Sequence, residues 1–549
     1  MIDIPTTLAP ASGIALRYAV TPPHDDDPLW SSAVELQPVE GFTGTVSSAG
    51  HAASAGAPGT VGSAGSAASA GAPGSVGSAG YAASAGASGS VGSAGSAASA
   101  GPSGVVGSAG SVSSTGPSGS VGSAASAGAS GTVVSASSAA LAGPSGSVGS
   151  AGYAASAGAP ASAGSAGSTA AAGPGAVLLG LPLSARFAGA SGTSRVDALL
   201  RGAGEAVERR ALHPSAAHPA RSGTAAGLDG TTLYAHHPDH ALSHPDAEAA
   251  VLSWYEARAM DSDAPVLVPA DLVDWPAGRA DLFDPSPSGA AAGASHETAL
   301  AAAMTEVTER DALTVAWGRQ LRLPTYTPSP ADTGLRAVWE RARAAGLTSV
   351  LARIPTAVPG LWCMTACLID PEGPGALATV GMKASTRPGE AAAKAFQEAW
   401  QVRAALRALC AQGETGHLAP IVTEHDRLSH MLTGSAYEAV RDWVAGFQEP
   451  STLPAPPPAR DLGAEEIRRA LTADGAGLLA VDLTPRLPPA VAAMGWHVVK
   501  VLAPGYQNLR MDETHPWSWH LPRLASAAER TGCPARLDDP REAAPHPLP

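Results

Sequence analysis

Three pairs of acidic or amide side chains, each spaced three residues apart, are the best candidates for chemistry in this sequence. The pairs are Glu205 and Glu208, Glu306 and Glu309, and Glu398 and Gln401, and the arginines that follow them are Arg209, Arg310 and Arg403. Residues at positions i and i+3 of a helix share one face. Carboxylates that converge from several helices can hold a divalent metal ion, and nearby arginines suit phosphate. The residues alone leave a second interpretation open, namely solvated helix faces with local Glu–Arg pairs.

Familiar nucleotide-binding loops are missing from the sequence. A P-loop needs Gly-Lys before Ser or Thr, and no lysine of this chain follows a glycine. The sequence also has neither a kinase catalytic-loop signature nor a dinucleotide fingerprint between a strand and a helix. A nucleotide would therefore have to bind through another architecture.

The acidic pairs lie on elements that the sequence predicts as helices. Three alanine-rich stretches predict these helices, over 196–212, 297–317 and 390–410. Apolar and β-branched runs predict strands, for example over 264–268, 362–368, 477–483 and 497–502. Helices that alternate with such runs indicate an α+β (mixed α/β) fold.

A low-complexity repeat occupies residues 45–175. Between Glu40 and Arg186 the chain has no Asp, Glu, Lys or Arg, and the unit AASAGAPGTVGSAGS at Ala52 returns with small changes at Ala67 and Ala82. Small side chains bury little surface and glycine is costly to order, so disorder is the favoured expectation. A packed Gly/Ala-rich repeat is the alternative.

The composition divides the chain into three parts and narrows the class of protein. We expect 1–44 to belong to the globular body, 45–175 to be the repeat, and 176–549 to be the catalytic domain. A net charge of −14 argues against a nucleic-acid binder, and the chain lacks a run of about 20 apolar residues that could span a membrane. Four cysteines give no disulfide framework, and the start lacks a basic signal-peptide region. A cytoplasmic protein is expected.

At the three predicted helices the sequence resembles the YcaO family of ATP-dependent enzymes that modify peptide backbones. GEAVER, ending at Arg209, is similar to the family motif GEAxER, and EVTERDA, starting at Glu306, is similar to ExxERDA. EAWQVR, starting at Glu398, is similar to ExxQxR. Further similarities are SGAAAG at 288–293, VPADLV at 268–273, GWHVVKVLAPG at 495–505 and the final PHPLP, which fits the PxPxP tail of azoline-forming members.

The resemblance implies a fold, cofactors and site residues over residues 176–549. The expected fold is a YcaO-like domain whose ATP site is formed by helices packed on β-sheets, and the expected cofactors are ATP and Mg²⁺. The carboxylates implied for Mg²⁺ are those of Glu205, Glu208, Glu306 and Glu309. The residues implied for ATP and Mg²⁺ together also include Arg209, Arg310, Glu398, Gln401 and Arg403.

The implied activity is cyclodehydration of a ribosomal precursor peptide. A Cys, Ser or Thr side chain attacks the preceding backbone carbonyl, and ATP phosphorylates the amide oxygen so that it leaves as phosphate. A thiazoline or oxazoline remains. The prolines Pro545, Pro547 and Pro549 would stiffen the tail and bring the terminal carboxylate of Pro549 to the reaction, where it could assist proton transfer. A frayed proline-rich terminus is the alternative from the residues alone.

Three positions depart from the family pattern. Ser191 stands where members often have the Lys of Gly-Lys-Gly, and Ser288 replaces the Asn of the NGxAAG turn. Thr298 stands where an acid is expected eight positions before Glu306, although Glu297 is adjacent. These departures suggest reduced activity or a partner that completes the site.

The resemblance also implies partners. We expect a precursor peptide and, since no leader-binding domain is visible, a separate ThiF-like leader-binding protein. A flavin dehydrogenase of the same pathway and a homodimer are further expectations. Two other functions stay open: thioamide formation with external sulfide, and a catalytically weak scaffold that binds the peptide for another enzyme.

Overall fold

The computed structural model describes residues 2–23, 29–38, 183–236, 241–330, 332–454 and 462–549, together with backbone strands within 51–156. The chain forms two compact units. One, here called the body, contains 1–44, 174–407 and 415–549, and the other contains 45–173 and 408–414. None of the helices among the described residues is long and apolar enough to cross a membrane.

The helices outside the repeat are numbered in chain order. They are α1 (Ile4–Thr7), α2 (Leu183–Arg186), α3 (Arg195–Leu212), α4 (Leu233–His236), α5 (His296–Gly318), α6 (Thr333–Ala344), α7 (Pro388–Ala411), α8 (Glu424–Met431), α9 (Gly434–Ala445), α10 (Ala464–Ala473), α11 (Pro489–Ala493), α12 (Leu521–Ala525) and α13 (Ala527–Thr531). The three predicted helices are confirmed as α3, α5 and α7 to within two residues at each end.

The strands of the body form three sheets. They are β1 (Ala15–Thr21), β2 (Trp30–Leu36), β3 (Phe187–Gly192), β4 (Arg221–Gly223), β5 (Leu252–Ala259), β6 (Pro265–Pro269), β7 (Ala290–Gly293), β8 (Thr325–Thr327), β9 (Thr348–Ile354), β10 (Trp362–Ile369), β11 (Ala378–Ser385), β12 (Ser451–Thr452), β13 (Leu479–Asp482) and β14 (His497–Leu502). The first sheet has the order β1-β2-β3, the central sheet β4-β5-β13-β14-β7 with β6 beside β5, and the third β11-β10-β9-β8-β12. The four predicted strands and the mixed α/β fold class are confirmed.

The three long helices lie where these sheets meet. Helix α3 packs on β2 and β3 of the first sheet and on β7 of the central sheet. Helix α5 packs on β7 and β14 of the central sheet and on β11 of the third. The hydroxyl groups of Ser194 and Ser295 cap α3 and α5 by accepting a backbone N–H from the first turn, which fixes where each helix starts. Their buried faces are rich in alanine, which permits a close approach to the strands.

In the repeat unit, the described strands run from His51–Gly56 to Tyr153–Ser156 and form two parallel sheets. Ala52 pairs with Ala67, and Ala67 pairs with Ala82, so the register equals the 15-residue sequence period. Such pairing is what the packed-repeat alternative predicts, and that alternative is not settled by it. Disorder of 45–175 stays a prediction.

The close packing of α7 on β11 gives a test of the fold. A Cβ added at Gly381 on β11 would clash with the carbonyl oxygen of Ala395 and the amide nitrogen of Ala399 on α7. We expect Gly381→Ala to lower the free energy of unfolding by about 1–3 kcal/mol, because backbone atoms cannot move aside as a flexible side chain can. The measurement is urea denaturation. Gly434→Ala is the matched control, since a Cβ at Gly434 meets nothing within 4 Å, and an equal loss in both variants would contradict this packing.

Candidate functional site

The faces of α3 and α5 bring their carboxylates together in the body. Glu208 on α3 lies close enough to Glu205 and to Glu306 of α5 for their charges to interact. Burial raises the pKa of the Glu208 carboxyl well above its usual value, and the two neighbouring carboxylates raise it further. Arg209 and Lys500 act in the opposite direction without cancelling this rise. The site therefore favours an additional positive charge.

Two arginines in this cluster have buried N–H groups without an acceptor. Arg209 pairs with Glu205 through Nη2 at 2.6 Å, but its Nε and Nη1 have no hydrogen-bond partner. Arg310 lies with Nε 3.5 Å from Glu306 Oε1, and that Nε also lacks a hydrogen bond. Burial alone would lower the pKa of both arginines, but the surrounding carboxylates outweigh it and raise both values. A phosphate group would supply the missing acceptors.

Glu309 and Glu398 join the long helices to one strand. Glu309, which is 3% exposed, accepts the Ala384 N–H at 2.6 Å and pairs with Lys383 Nζ at 2.9 Å. Glu398 accepts the Met382 N–H at 2.7 Å. Both carboxylates, predicted from the resemblance to act at the ATP–Mg²⁺ site, thus anchor α5 and α7 to β11. Burial raises the pKa of Glu398 although Arg310 lies close by.

Gln401 and Arg403 contact other parts of the body. Gln401 accepts the Ser191 N–H of β3 at 3.1 Å. Arg403 pairs with Asp370 at 2.9 Å, at the end of β10. The structure thus gives these two side chains partners on other elements, and their role in nucleotide binding stays a prediction.

Two lysines of the site were missed by sequence reasoning. Lys500 on β14 is 1% exposed and donates to the carbonyl oxygens of Ser286 and Ser288 at 2.7 and 2.6 Å. Burial lowers the pKa of Lys500 to about 8, against the opposing effect of Glu306. Lys383 is the partner of Glu309. The chain has only three lysines among 33 basic residues, and that rarity is the signal that could have singled these two out.

The positions that depart from the family pattern have local roles. The Ser191 carbonyl accepts from Arg201, whereas its buried hydroxyl has no partner. The Ser288 carbonyl accepts from Lys500. Thr298 lies in the first turn of α5, where its backbone N–H is capped by Ser295 and its hydroxyl lies 2.9 Å from the Ser295 hydroxyl. Glu297 is exposed beside Thr298.

The proline segment, defined as Pro545–Pro549, packs against the body near this cluster. His546 is 4% exposed and Leu548 is 1% exposed, whereas Pro549 is exposed. The charge of Arg310 reaches His546. Just before the segment, Trp317 of α5 donates its indole N–H to the carbonyl of Ala544 at 2.6 Å. The segment is therefore held beside α5.

The residues present fit a magnesium–nucleotide complex. In the described parts of the chain, no group of three or more His, Cys, Asp or Glu side chains is placed to hold a metal ion. Mg²⁺ characteristically takes one or two protein carboxylates and completes its shell with phosphate oxygens and water. One or two of the carboxylates of Glu205, Glu208 and Glu306, together with the unpartnered arginine donors, match that division.

The pair of the buried Glu309 with the partly exposed Lys383 gives a test of how the site is held. We expect Lys383→Met to lower the free energy of unfolding by about 1–3 kcal/mol, because it leaves a buried carboxylate without its cation. Chemical denaturation measures this loss. The control is Lys394→Met, which breaks a half-exposed pair with Glu390 and should cost less than about 0.5 kcal/mol. Similar losses in the two variants would mean that the Glu309 pair does not anchor α5.

Comparisons with known proteins concern the family and the fold of the chain. A family model described as YcaO cyclodehydratase, ATP- and Mg²⁺-binding, matches residues 189–507. No curated protein sequence matches the chain. Among solved structures, a heterocyclase in complex with substrate and cofactor is 18% identical with a TM-score of 0.50, over 66% of this chain and 50% of that one. The chain thus spans about half the length of that heterocyclase, and the likeness is one of fold.

Two further structures are similar. YcaO from Methanopyrus kandleri, bound with AMPPCP and Mg²⁺, is 20% identical with a TM-score of 0.44, over 60% of this chain and 81% of that one. A chain of the E. coli microcin synthetase McbBCD complex is 15% identical with a TM-score of 0.44, over 58% of this chain and 82% of that one. Because the family model covers more than half of the sequence, the chain belongs to the YcaO family.

Proposed function

We propose that the chain catalyses the ATP-dependent cyclodehydration of Cys, Ser or Thr residues in a ribosomal precursor peptide. The products are thiazolines or oxazolines. The observation that carries the proposal is the cluster in which Glu205, Glu208 and Glu306 converge while Arg209 and Arg310 keep buried N–H groups without an acceptor. Such a cluster accommodates a cation and an anion together, as a magnesium–ATP complex requires.

The reaction balances without a further reactant. The peptide's thiol or hydroxyl adds to the preceding carbonyl carbon, and the former carbonyl oxygen attacks the γ-phosphorus and displaces ADP. The bond from carbon to that oxygen then breaks and phosphate leaves. The nitrogen loses its proton and forms the C=N bond. One peptide and one ATP thus give one azoline, ADP and phosphate.

The chain's own residues supply the electrostatic part of this reaction. Arg209 and Arg310 would bind the γ-phosphate and offset the negative charge that develops during transfer. Lys500 is fixed by two carbonyl groups, so its charge would be placed beside Glu306 and Glu208 before the substrate arrives. One or two of the carboxylates of Glu205, Glu208 and Glu306 would hold Mg²⁺, which would neutralise charge on the phosphate oxygens.

The partners follow from the same proposal. The similar heterocyclase is described with its substrate, and McbBCD is described as a complex. For this chain we propose a precursor peptide and a separate ThiF-like leader-binding protein, with a flavin dehydrogenase that oxidises the azolines. The scaffold function is the second candidate, because Thr298, which stands in place of an expected acid, is engaged with the helix cap.

Substitutions of Arg310 and Glu306 test the proposed activity. We expect Arg310→Met to lower peptide-dependent phosphate release by at least about a hundredfold, because the lost guanidinium stabilises transferred charge. The assay combines enzyme, Mg-ATP, precursor peptide and partner, and follows both phosphate and the loss of one water per ring by mass spectrometry. Glu306→Gln should act in the same direction.

The control for this experiment is Arg343→Met, which removes an exposed pair with Glu340 and should leave turnover unchanged. Unchanged turnover in Arg310→Met would contradict the assignment. A wild-type protein that binds the peptide without changing its mass would favour the scaffold function.

The proline segment gives a separate test. Removal of all five residues would also remove the buried His546 and Leu548, so the sharper change removes only the exposed Pro549. We expect this variant to cyclise the peptide at least about tenfold more slowly while its affinity for a non-hydrolysable ATP analogue stays within twofold. Calorimetric titration measures the affinity. Equal losses of both quantities would mean that the segment is merely structural.

A further inference from the structure

A fully buried arginine holds the proline segment in place. Arg427 of α8 is 0% exposed and pairs with Glu513 at 3.0 Å. It donates to the carbonyl of His546 at 3.1 Å. Its Nη2 donates to the carbonyls of Arg510 and Met511 at 2.7 and 3.1 Å. One guanidinium therefore connects a helix, a loop and the segment.

The hydrogen bonds of His546 define its tautomer. Its Nε2 lies 2.6 Å from the Arg510 carbonyl, which can only accept, so Nε2 carries the proton. Its Nδ1 is then free to accept the N–H of Leu548 at 3.4 Å. Burial lowers the pKa of His546 well below its usual value, and the charge of Arg427 adds to this effect. The ring is thus neutral and held in one orientation.

The alternating prolines limit the number of backbone N–H donors in the segment. Proline has no backbone N–H, so His546 and Leu548 carry the only backbone donors of the segment. The His546 N–H bonds to Glu513 at 3.3 Å, and the Leu548 N–H bonds to the His546 ring. The Leu548 N–H is thus satisfied within the segment, whereas the His546 N–H sets the register on the body, because a shift by one residue would place a proline opposite Glu513.

The loop that receives the segment is itself anchored to the body. Asp284 accepts the N–H groups of Met511 and Asp512 at 3.1 and 2.9 Å. Arg510 pairs with Glu513 and donates to the Ser518 hydroxyl at 2.8 Å. Because this loop is fixed, it can define the position of the segment.

The same helix also reaches the acidic cluster. Glu424 of α8 interacts with Arg209, and it accepts the backbone N–H of Ser184 at 3.0 Å. Three residues later on α8, Arg427 holds the segment, and the charge of Arg310 reaches His546. Helix α8 therefore contacts both Ser184 of α2, through Glu424, and the proline segment, through Arg427.

We propose that Arg427, Glu513 and His546 form a positioning clamp that fixes Pro547–Pro549 in one register beside the Arg310 end of the site. The clamp rests on the proposed function, since it places the segment for cyclodehydration. These three are positioning residues, because they act through the segment and not on the substrate. Burying an arginine with a single carboxylate partner costs desolvation energy, but its directed hydrogen bonds can set the register of the segment.

The first measurement of the clamp does not depend on activity. Hydrogen exchange of a peptic fragment that contains the segment reports the amides of His546 and Leu548. We expect slow exchange in the wild-type protein and at least about tenfold faster exchange in Arg427→Met and His546→Leu. His546→Gln should restore part of the protection, because its amide can still donate to the Arg510 carbonyl. Unchanged exchange in both variants would overturn the clamp even if the wild-type protein has no activity.

The second measurement asks whether the clamp serves the reaction. We expect His546→Leu to lower kcat for cyclisation at least about tenfold while its nucleotide affinity stays within twofold of the wild-type value. The kcat of His546→Gln should lie between those of the wild-type protein and His546→Leu. In a chain that stops at His546, Arg427→Lys should cause no further loss of kcat, because the residues it positions are gone. The matched control is Arg541→Met, which breaks an exposed pair with Asp539.

The outcomes separate the two proposals. Parallel loss of kcat and nucleotide affinity, or an additional loss in the shortened chain, would overturn the clamp as a positioning device. An active wild-type protein with fully active clamp variants would also overturn it and leave the proposed function intact. A wild-type protein that fails to cyclise the peptide with its partner present would overturn the proposed function, and with it the catalytic purpose of the clamp.

Discussion

The structure depends on placing like charges together in a partly buried site. Glu208 faces Glu205 and Glu306, which are 31% and 21% exposed, and partial burial together with these two charges raises the pKa of Glu208. Such an arrangement is unfavourable unless cations surround it. Arg209 and Lys500 provide part of that positive charge from α3 and β14. The remaining imbalance is what makes the cluster suited to a metal ion that arrives with phosphate.

The surrounding fold keeps these charges from moving apart. Glu309 and Glu398 use their carboxylates to hold α5 and α7 to neighbouring backbone groups of β11. Gly381 lets α7 approach the same strand closely. The residues that anchor the helices to β11 are carboxylates, as are the residues that face the site. That is why all six residues of the pairs resemble ligands in the sequence although the structure gives them different contacts.

The sequence predicted the helices and strands better than the contacts between side chains. The i, i+3 spacing located α3, α5 and α7, since a helix places such residues on one face irrespective of what lies opposite. It could not place Lys500 or Lys383, because strands distant in the sequence supply them. Nor could it show that Arg403 pairs with Asp370, a residue outside every motif. For the repeat, the entropy cost of ordering a Gly- and Ala-rich chain led us to expect disorder. The described strands pair with a register equal to the 15-residue period of the sequence.

The proline segment illustrates how a sequence with few hydrogen-bond donors can still be held precisely. Its prolines stiffen the chain and remove three donors, so the His546 N–H is the backbone donor of the segment that bonds to the body, while the Leu548 N–H bonds to the His546 ring. The buried Arg427 and Glu513 supply the fixed partners, and Asp284 fixes the loop that carries Glu513. Arg310 has the acidic cluster on one side and His546 within reach of its charge. Through the contacts of Arg427 and Glu513 with His546, the position of the segment depends on a helix and a loop that are themselves held by the body.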